Sequence, residues 1–338
     1  MKILVLQLKR IGDLVLTTPA LVALRCRYPQ ARIVLAIMES SAGLAPVLPA
    51  VDEVVVVRRR GGNARLWLKL ALTGFDLCLD FTGNDRSAFL SLLSKADRRI
   101  AFQWVQRSRT RALFYNHFVD SSVRTNHTVD HYLDLLSPLG VAREDGGPVT
   151  LALTETHRTR AATLLREAGV SGDYIVIHPG TARNEKYWLP EHWAEVIAHC
   201  RWRYRLPCLL TGTREPFERA HLEAILARSE RSPLLPPLLD WSARLDLPTL
   251  AALIERAGLL LSMDSAPVHL GAAFGTRQIS LFGPTNPFHW RARHPRAVTL
   301  LAGAVPGAPE PFAPRFERRN LSDLSTQPVI DAIGVLLA

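Results

Sequence analysis

Short runs of consecutive valine, isoleucine and leucine residues alternate with helical segments along both halves of this chain. Neighbouring strand residues face opposite sides of a sheet, so a strand that is apolar throughout must be covered on both faces. A parallel sheet with helices on either side provides that cover, and repeated strand–helix alternation is typical of the doubly wound α/β fold. The predicted strands are residues 2–7, 32–36, 53–57, 76–80, 174–178, 207–211, 259–262 and 278–282.

The pattern restarts after Pro148, and the stretch 140–150, which is rich in glycine and acidic residues, is the predicted linker. We therefore predict Rossmann-like domains at residues 1–147 and 148–324, a closing helix at 325–338, and a cleft between the domains. The proline-rich segment 302–315 is expected to form an ordered loop or crossover. Ligands of such sheets bind beyond the carboxyl ends of the strands, so the loops at those ends are the candidate sites.

The balance of 41 lysines and arginines against 31 acidic residues suits an anionic partner, although an arginine-rich composition throughout explains the charge equally well. Neither a helix-turn-helix nor an aromatic–basic platform is recognisable, which disfavours nucleic acid. Four widely spaced cysteines without a Cys-X-X-Cys pair predict buried thiols in a reducing compartment and no metal site. We find no signal peptide or membrane-spanning run, so the expected location is the cytoplasm.

The segment that begins at Met263 joins a short apolar strand to a helix start rich in small residues. The first backbone N–H groups of a helix lack internal partners and the helix dipole favours negative charge, so this junction predicts a phosphate site at Ser265 and Ala266. Asp264 can accept hydrogen bonds from sugar hydroxyls. His269 can bond to phosphate, or it can be an ordinary structural histidine of the helix.

Three further loops in the second half follow predicted strands. The loop after His178 carries Thr181 and Lys186, a hydroxyl and a point charge that suit a diphosphate. The loop after Thr211 carries Glu215, whose carboxylate can bind a ribose diol. The turn after Phe282 carries Thr285, which either contacts phosphate or belongs to a purely structural turn.

The first loop of the chain, Lys9-Arg10-Ile11-Gly12-Asp13, lies between the first strand and its helix. It lacks the Gly-X-Gly-X-X-Gly pattern, which disfavours an NAD enzyme. Asp13 is either the N-cap of that helix or a carboxylate that faces the cleft as a general base. Arg58, Arg59 and Arg60 form a basic loop that is either solvated surface or a grip for an anionic ligand.

Four segments resemble, in order and spacing, the bacterial lipopolysaccharide heptosyltransferases, which are family 9 glycosyltransferases with the GT-B fold. They are KILVLQLKRIGDLVLTTPAL, HPGTARNEKYWLPEHWAEVI, MDSAPVHLGAAFGT and LFGPTNPFHW. The resemblance covers essentially the whole chain. It implies two Rossmann-like domains, the first for the acceptor and the second for the nucleotide-sugar donor.

The resemblance also implies inverting transfer of heptose from ADP-heptose to the inner core of lipopolysaccharide. Asp13 would be the general base, and Lys186 would stabilise the charge that grows on the leaving diphosphate. The donor-binding residues so implied are Thr181, Ala182, Lys186, Glu215, Leu247, Asp264, Ser265, Ala266, Pro267 and His269. The acceptor-binding residues so implied are Lys9, Arg10, Arg58, Arg59 and Arg60.

Charge stabilisation by lysine and backbone amides replaces a metal ion, so no metal or further cofactor is expected. The expected partners are ADP-heptose and an anionic lipopolysaccharide core, with peripheral contact at the inner face of the inner membrane.

Two alternatives remain at this point. A nucleotide-sugar epimerase of similar fold acts on the donor alone and has no need of a basic acceptor face. A catalytically silent nucleotide-sugar-binding protein of envelope assembly could lose Asp13 or Lys186 without harm, yet both are present.

Overall fold

Two six-stranded parallel sheets organise the chain, one in each half. The computed structural model describes residues 1–303 and 312–338. The described chain divides into two units, Met1–Ala152 and Leu153–Ala338. The predicted proline-rich loop at 302–315 falls largely outside the described residues.

The first unit forms a sheet of strand order β3-β2-β1-β4-β5-β6. Its strands are β1 (Lys2–Gln7), β2 (Arg32–Met38), β3 (Glu53–Val57), β4 (Leu77–Asp80), β5 (Arg98–Phe102) and β6 (His117–Val119). Its helices are α1 (Ile11–Leu16), α2 (Thr18–Arg27), α3 (Ala64–Thr73), α4 (Asp85–Leu93), α5 (Arg109–Ala112) and α6 (Thr128–Asp134). The chain crosses to the other side of β1 between β3 and β4, so the topological switch point lies between β1 and β4.

The second unit repeats this design in a sheet of order β12-β11-β10-β7-β8-β9. Its strands are β7 (Ile175–His178), β8 (Cys208–Leu210), β9 (Leu238–Asp240), β10 (Leu259–Met263), β11 (Gln278–Phe282) and β12 (Ala297–Leu301). Its helices are α7 (Glu155–Glu167), α8 (Pro190–Arg203), α9 (Pro216–Arg228), α10 (Leu247–Arg256), α11 (Ala266–Phe274), α12 (Pro287–Trp290) and α13 (Gln327–Leu337). Numbered from its own first strand, this sheet has the same order as the first, with its switch point between β7 and β10.

The sheets confirm the predicted doubly wound α/β class, and all eight predicted strands are present. The strands that the pattern did not predict are β5, β6, β9 and β12. The sequence after β1 predicts one helix from Leu14 to Tyr28, but the structure has two, because the chain bends at Thr17 between α1 and α2. Thr17 anchors the bend: its hydroxyl donates to the Asp13 carbonyl at 2.7 Å and accepts a bond from the Gln7 side chain at 2.6 Å.

Continuous burial of the central strands explains their apolar sequences. The β1 residues Ile3 to Leu6 and the β10 residues Leu259 to Leu261 have no exposed surface. In the second unit the core also holds Trp188 and Trp193, whose rings pack edge to face with centroids 5.2 Å apart. Both faces of the central strands are therefore sealed, as a parallel sheet requires.

The cysteines are free thiols, but their burial matches the prediction at only three of four positions. Cys78, Cys200 and Cys208 are buried, and burial raises the pKa of the Cys78 thiol to about 12. Cys26 is exposed, because it lies on the solvent side near the end of α2. Within residues 1–303 and 312–338, no helix is long and apolar enough to cross a membrane.

His131 on α6 predicts a pH-dependent stability. Its ring stacks on Phe102 with centroids 3.8 Å apart, and burial lowers its pKa to about 3, well below the value of an unfolded histidine. The unfolded chain therefore binds a proton at this position that the folded chain does not. The free energy of unfolding should fall by about 1.4 kcal/mol per pH unit for this group as the pH drops below about 6.5.

Urea unfolding of wild type and His131→Asn at about pH 6.5 and about pH 4.5 tests this expectation. The variant should lose less stability over that interval than wild type. His117→Asn, at a partly exposed histidine on β6, is the control and should behave as wild type. Equal slopes for wild type and His131→Asn would contradict the assignment.

Candidate functional site

A buried ion pair lies at the switch point of the second sheet. Lys186 Nζ is 2.6 Å from Asp264 Oδ2, and the side chains are only 10% and 9% exposed. The Thr285 hydroxyl donates to the same carboxylate oxygen at 2.5 Å. Removing one partner of such a pair leaves an uncompensated buried charge, which typically costs about 3–5 kcal/mol. The structure thus brings together three residues that the sequence placed in three separate loops.

Parallel pairing explains why these loops meet. β7, β10 and β11 are neighbours in the sheet, so their carboxyl ends lie side by side. Lys186 ends a 3₁₀ turn, Asn184–Lys186, in the loop after β7. Trp188 anchors that loop: its ring is buried, and its indole N–H donates to the Leu324 carbonyl at 2.8 Å.

The start of α11 lies beside this ion pair. Ser265 is the N-cap residue, yet its hydroxyl donates to the Met263 carbonyl at 3.2 Å and does not cap the helix. Ala266 and Pro267 form the first turn, and His269 is buried within the helix. The positive end of the helix dipole and the Lys186 ammonium therefore lie close to one another, an arrangement that suits a bound anion.

The carboxylate that organises the next loop is Glu218. Its oxygens accept bonds from the Thr213 backbone N–H at 2.8 Å and the Thr213 hydroxyl at 2.6 Å. A Cβ atom at either Gly180 or Gly212 would overlap with Glu218 Oε1, so both glycines are needed for this close packing. Nearby, His178 Nδ1 is 2.9 Å from the Thr211 hydroxyl, and burial lowers the pKa of His178 while Glu218 opposes that shift.

The remaining predicted donor residues occupy the same edge of the sheet. Thr181 is buried, and its carbonyl accepts a bond from the Tyr187 hydroxyl at 3.0 Å. Ala182 is exposed in the same loop. Glu215 is exposed and is the N-cap position of α9 without a side-chain capping bond. Leu247 is partly buried at the first position of α10.

The first sheet carries its own polar group at the switch point. The Tyr132 hydroxyl donates to Asp13 Oδ1 at 2.6 Å, and Tyr132 is completely buried. Lys9 Nζ lies 3.4 Å from the same hydroxyl. Burial raises the pKa of Tyr132, with the Asp13 charge adding to the shift, so Tyr132 remains a hydrogen-bond donor.

Asp13 is not the helix cap that the sequence allowed. The N-cap residue of α1 is Arg10, and Asp13 lies in the first helical turn. Its carboxylate is partly buried and turned toward Tyr132. This removes the capping explanation for Asp13.

Asp80 is the second carboxylate at this switch point. It ends β4, has no exposed surface, and accepts bonds from the Thr82 and Gly83 N–H groups and from the Tyr115 hydroxyl. Burial raises the pKa of Asp80. Burial also lowers the pKa of Lys9, an effect that the charges of Asp13 and Asp80 oppose.

The predicted acceptor arginines surround this edge of the first sheet. Arg10 is exposed at the start of α1. Arg58, Arg59 and Arg60 are exposed in the loop after β3. That loop is pinned through its backbone, because the Arg59 N–H donates to the Glu39 carboxylate at 2.7 Å and the Arg59 carbonyl accepts a bond from Arg86 at 3.0 Å. The backbone of this loop is therefore held at Arg59.

Sequence analysis missed Tyr132, Asp80 and Glu218. Glu218 had a recognisable signal: it stands three residues after the N-cap Glu215, where a capping-box glutamate reaches back to the preceding backbone. Asp80 had a weaker signal, since it ends the predicted strand 76–80. Tyr132 had none, because only folding brings it to Asp13. In the described part of the chain, no group of three or more histidine, cysteine or acidic side chains is arranged to hold a metal ion.

The contact between Gly180 and Glu218 predicts a large effect of a small substitution. Gly180→Ala would force Glu218 away from Thr213 and should lower the free energy of unfolding by about 1–3 kcal/mol. Gly258→Ala is the matched control, because a Cβ there meets only ordinary contacts at 3.5 Å or more. Urea unfolding that gave both variants the same stability would refute this account of the packing.

Comparison with known proteins places these residues in a family. The sequence model of glycosyltransferase family 9 (heptosyltransferase) matches residues 63–313, which include Lys186, Asp264 and Thr285. Lipopolysaccharide heptosyltransferase 3 of Escherichia coli is 27% identical to this chain, over 96% of this chain and 95% of the relative.

Two solved structures share the fold across nearly the whole chain. The family 9 glycosyltransferase of Veillonella parvula DSM 2008 superimposes with a TM-score of 0.83 at 24% identity, covering 99% of this chain and 97% of that structure. The ADP-heptose lipopolysaccharide heptosyltransferase II of E. coli gives 0.81 at 20% identity, covering 100% and 98%. The predicted GT-B class is thereby confirmed. The chain belongs to glycosyltransferase family 9, the heptosyltransferases.

Proposed function

We propose that the protein transfers heptose from ADP-heptose to the lipopolysaccharide core with inversion at the anomeric carbon. The observation that carries this proposal is the buried Lys186–Asp264 pair beside the start of α11, at the switch point of the second sheet. Ligands of doubly wound sheets bind at that point. The family match includes this pair, and two of the three similar proteins named above are heptosyltransferases.

The donor diphosphate occupies the start of α11 in this proposal. Lys186 and the loop at Thr181 stabilise the negative charge that develops on ADP as it leaves. Such electrostatic stabilisation is usually the largest contribution to catalysis. Asp264 holds Lys186 in place, Thr285 holds the Asp264 carboxylate, and both present oxygen atoms to the donor sugar. Because Lys186 and the start of α11 supply positive charge, the proposed reaction needs no metal or further cofactor.

Asp13 is the proposed general base on the acceptor side. The acceptor oxygen forms a bond to the anomeric carbon, the bond from that carbon to the diphosphate oxygen breaks, and the bonding electrons leave with ADP. Attack opposite the leaving group inverts the configuration. The acceptor proton passes to Asp13, which accepts it late in the attack, when the hydroxyl has become acidic. Tyr132 holds one carboxylate oxygen, so the other is directed to the acceptor.

Lys9, Arg10 and Arg58 to Arg60 are the proposed contacts of the anionic core. Their charges complement an acceptor rich in acidic groups. The protein would act in the cytoplasm, with peripheral contact at the inner face of the inner membrane where a lipid-linked acceptor resides. The family match begins at residue 63, so the roles of these residues and of Asp13 stand on their geometry and on the sequence resemblance.

The test combines ADP release with the Asp13→Asn variant. Wild type should release ADP from ADP-heptose only with a heptose-deficient lipopolysaccharide core present, and the acceptor should gain the mass of one heptose with inverted linkage by NMR. Asp13→Asn should lower kcat by about 10²–10⁴-fold because the proton acceptor is lost. Its affinity for ADP should be nearly unchanged, since Asp13 lies in the other unit from the donor residues.

Asp97→Asn is the matched control, at an exposed aspartate before β5 on the opposite edge of the same sheet. Full transfer by Asp13→Asn would mean that the base lies elsewhere. Tight ADP binding without turnover on any core acceptor would contradict the proposal. It would mean that the acceptor is another glycan or that the protein only binds a nucleotide sugar. Conversion of ADP-heptose without acceptor would favour an epimerase.

Tyr132→Phe tests the positioning of Asp13 separately. The variant removes one donated hydrogen bond but keeps the buried ring, which packs edge to face on Phe81. We expect kcat to fall by about tenfold, as for a lost hydrogen bond to a charged group, with the KM for ADP-heptose unchanged. Tyr174→Phe is the control, at a buried tyrosine whose hydroxyl donates to the Leu253 carbonyl. Equal kcat values for the two variants would exclude a positioning role.

A further inference from the structure

Exposed apolar side chains gather on two helices of the first unit. Thirteen large apolar residues are exposed among those described, and five of them lie on α3 and α4. These five, Trp67, Leu68, Leu72, Phe89 and Leu92, are named the α3–α4 face. Contiguous exposed apolar surface of this kind marks a place of interaction more often than scattered single residues do.

The geometry of α3 makes the face continuous. Only Leu70 of this helix is buried, whereas Leu68 and Leu72 are 60% and 74% exposed. Arg65, Leu68 and Leu72 follow the i, i+3, i+7 spacing and share one side of the helix. The Trp67 ring meets Phe89 edge to face at 5.4 Å, which joins α3 to α4.

The surroundings of the face are strongly basic. Residues 54–75 contain Arg58, Arg59, Arg60, Arg65 and Lys69 and no acidic residue. The loop of Arg58, Arg59 and Arg60 is named the arginine loop. The Arg86 guanidinium at the start of α4 donates to the Arg59 carbonyl, so the arginine loop borders α4 directly.

The nearby acidic groups are already engaged. Glu53 pairs with Arg32 and Lys69, and Asp85 pairs with Arg111. The charge that remains around the face is therefore positive.

We infer that the α3–α4 face is the surface by which the protein docks on a lipid bilayer with anionic headgroups. Trp67, Leu68 and Leu72 enter the interfacial layer, where tryptophan and leucine are favoured, while Arg65 and the arginine loop bind the headgroup phosphates. A second copy of the chain fits less well, because a two-fold contact through this face would set its arginines against one another.

This inference deepens the proposed function. It rests on that function in one respect: a lipid-linked acceptor is the reason for the enzyme to bind a membrane. The loop of Arg58 to Arg60 follows β3 and α4 follows β4, so this loop and the start of α4 lie at the same carboxyl edge of the sheet as Asp13. Docking there would bring a lipid-linked acceptor close to the base.

Sedimentation with vesicles tests the surface independently of catalysis. Wild type should bind vesicles of phosphatidylcholine with phosphatidylglycerol more tightly than vesicles of phosphatidylcholine alone. The double variant Leu68→Gln/Leu72→Gln should bind at least about tenfold more weakly, because two exposed leucines lose their burial in lipid. Arg65→Gln should weaken binding to the anionic vesicles only.

Matched controls come from the second unit. Leu234→Gln/Val335→Gln changes two apolar residues that are 74% and 76% exposed, and Arg231→Gln changes an exposed arginine. Both should bind vesicles as wild type does. Circular dichroism should show the same fold for all variants, and transfer to a soluble, deacylated core acceptor should be unchanged in the leucine variant.

Two outcomes would overturn the inference. The first is wild type that does not sediment with anionic vesicles, and the second is a leucine variant that binds them as its control variant does. A wild-type dimer that the leucine substitutions dissociate, without an effect on vesicles, would assign the face to a second copy. If the vesicle results hold while wild type transfers heptose to no acceptor, the proposed function fails and the membrane surface stands.

Discussion

Parallel strand pairing is the constraint on which the candidate site depends. Because β7, β10 and β11 run side by side in one direction, their carboxyl ends meet at one edge of the sheet. Lys186, Asp264 and Thr285 are separated by up to 99 positions in sequence, from 186 to 285, yet they share one carboxylate oxygen. An antiparallel arrangement would send alternate loops to opposite edges and would leave Lys186 without its partner.

Each unit places a carboxylate at its switch point and restrains it with a buried partner. In the second unit the restraint on Asp264 is an ammonium and a hydroxyl, and in the first unit the restraint on Asp13 is the hydroxyl of Tyr132. Burial fixes the orientation of each carboxylate, because a polar group removed from water must keep its hydrogen bonds. The two units therefore use one topology to hold two different kinds of polar group, one suited to leaving-group charge and one to proton transfer.

Prediction from sequence succeeded where burial is uniform. The eight predicted strands have runs of apolar residues, since most are covered on both faces. Of the strands that the pattern did not predict, β5 and β6 carry mixed sequences, and β9 and β12 are the edge strands of the second sheet. For the site, the motifs indicated Lys186 and Asp264 but not their pairing. The loop after β8 indicated Glu215, whereas the buried carboxylate there is Glu218.

The sequence by itself determined the doubly wound class, the loops that carry the chemistry and the family resemblance, because hydrophobic periodicity and short motifs are local properties of the chain. Only the tertiary structure decided which side chains meet. Tyr132 reaches Asp13 across 119 positions, and Asp80 lies near the same group from the end of β4. It also decided that Leu68 and Leu72 of α3 face outward while Leu70 of the same helix is buried. Such contacts follow from the packing of whole elements, which no local pattern contains.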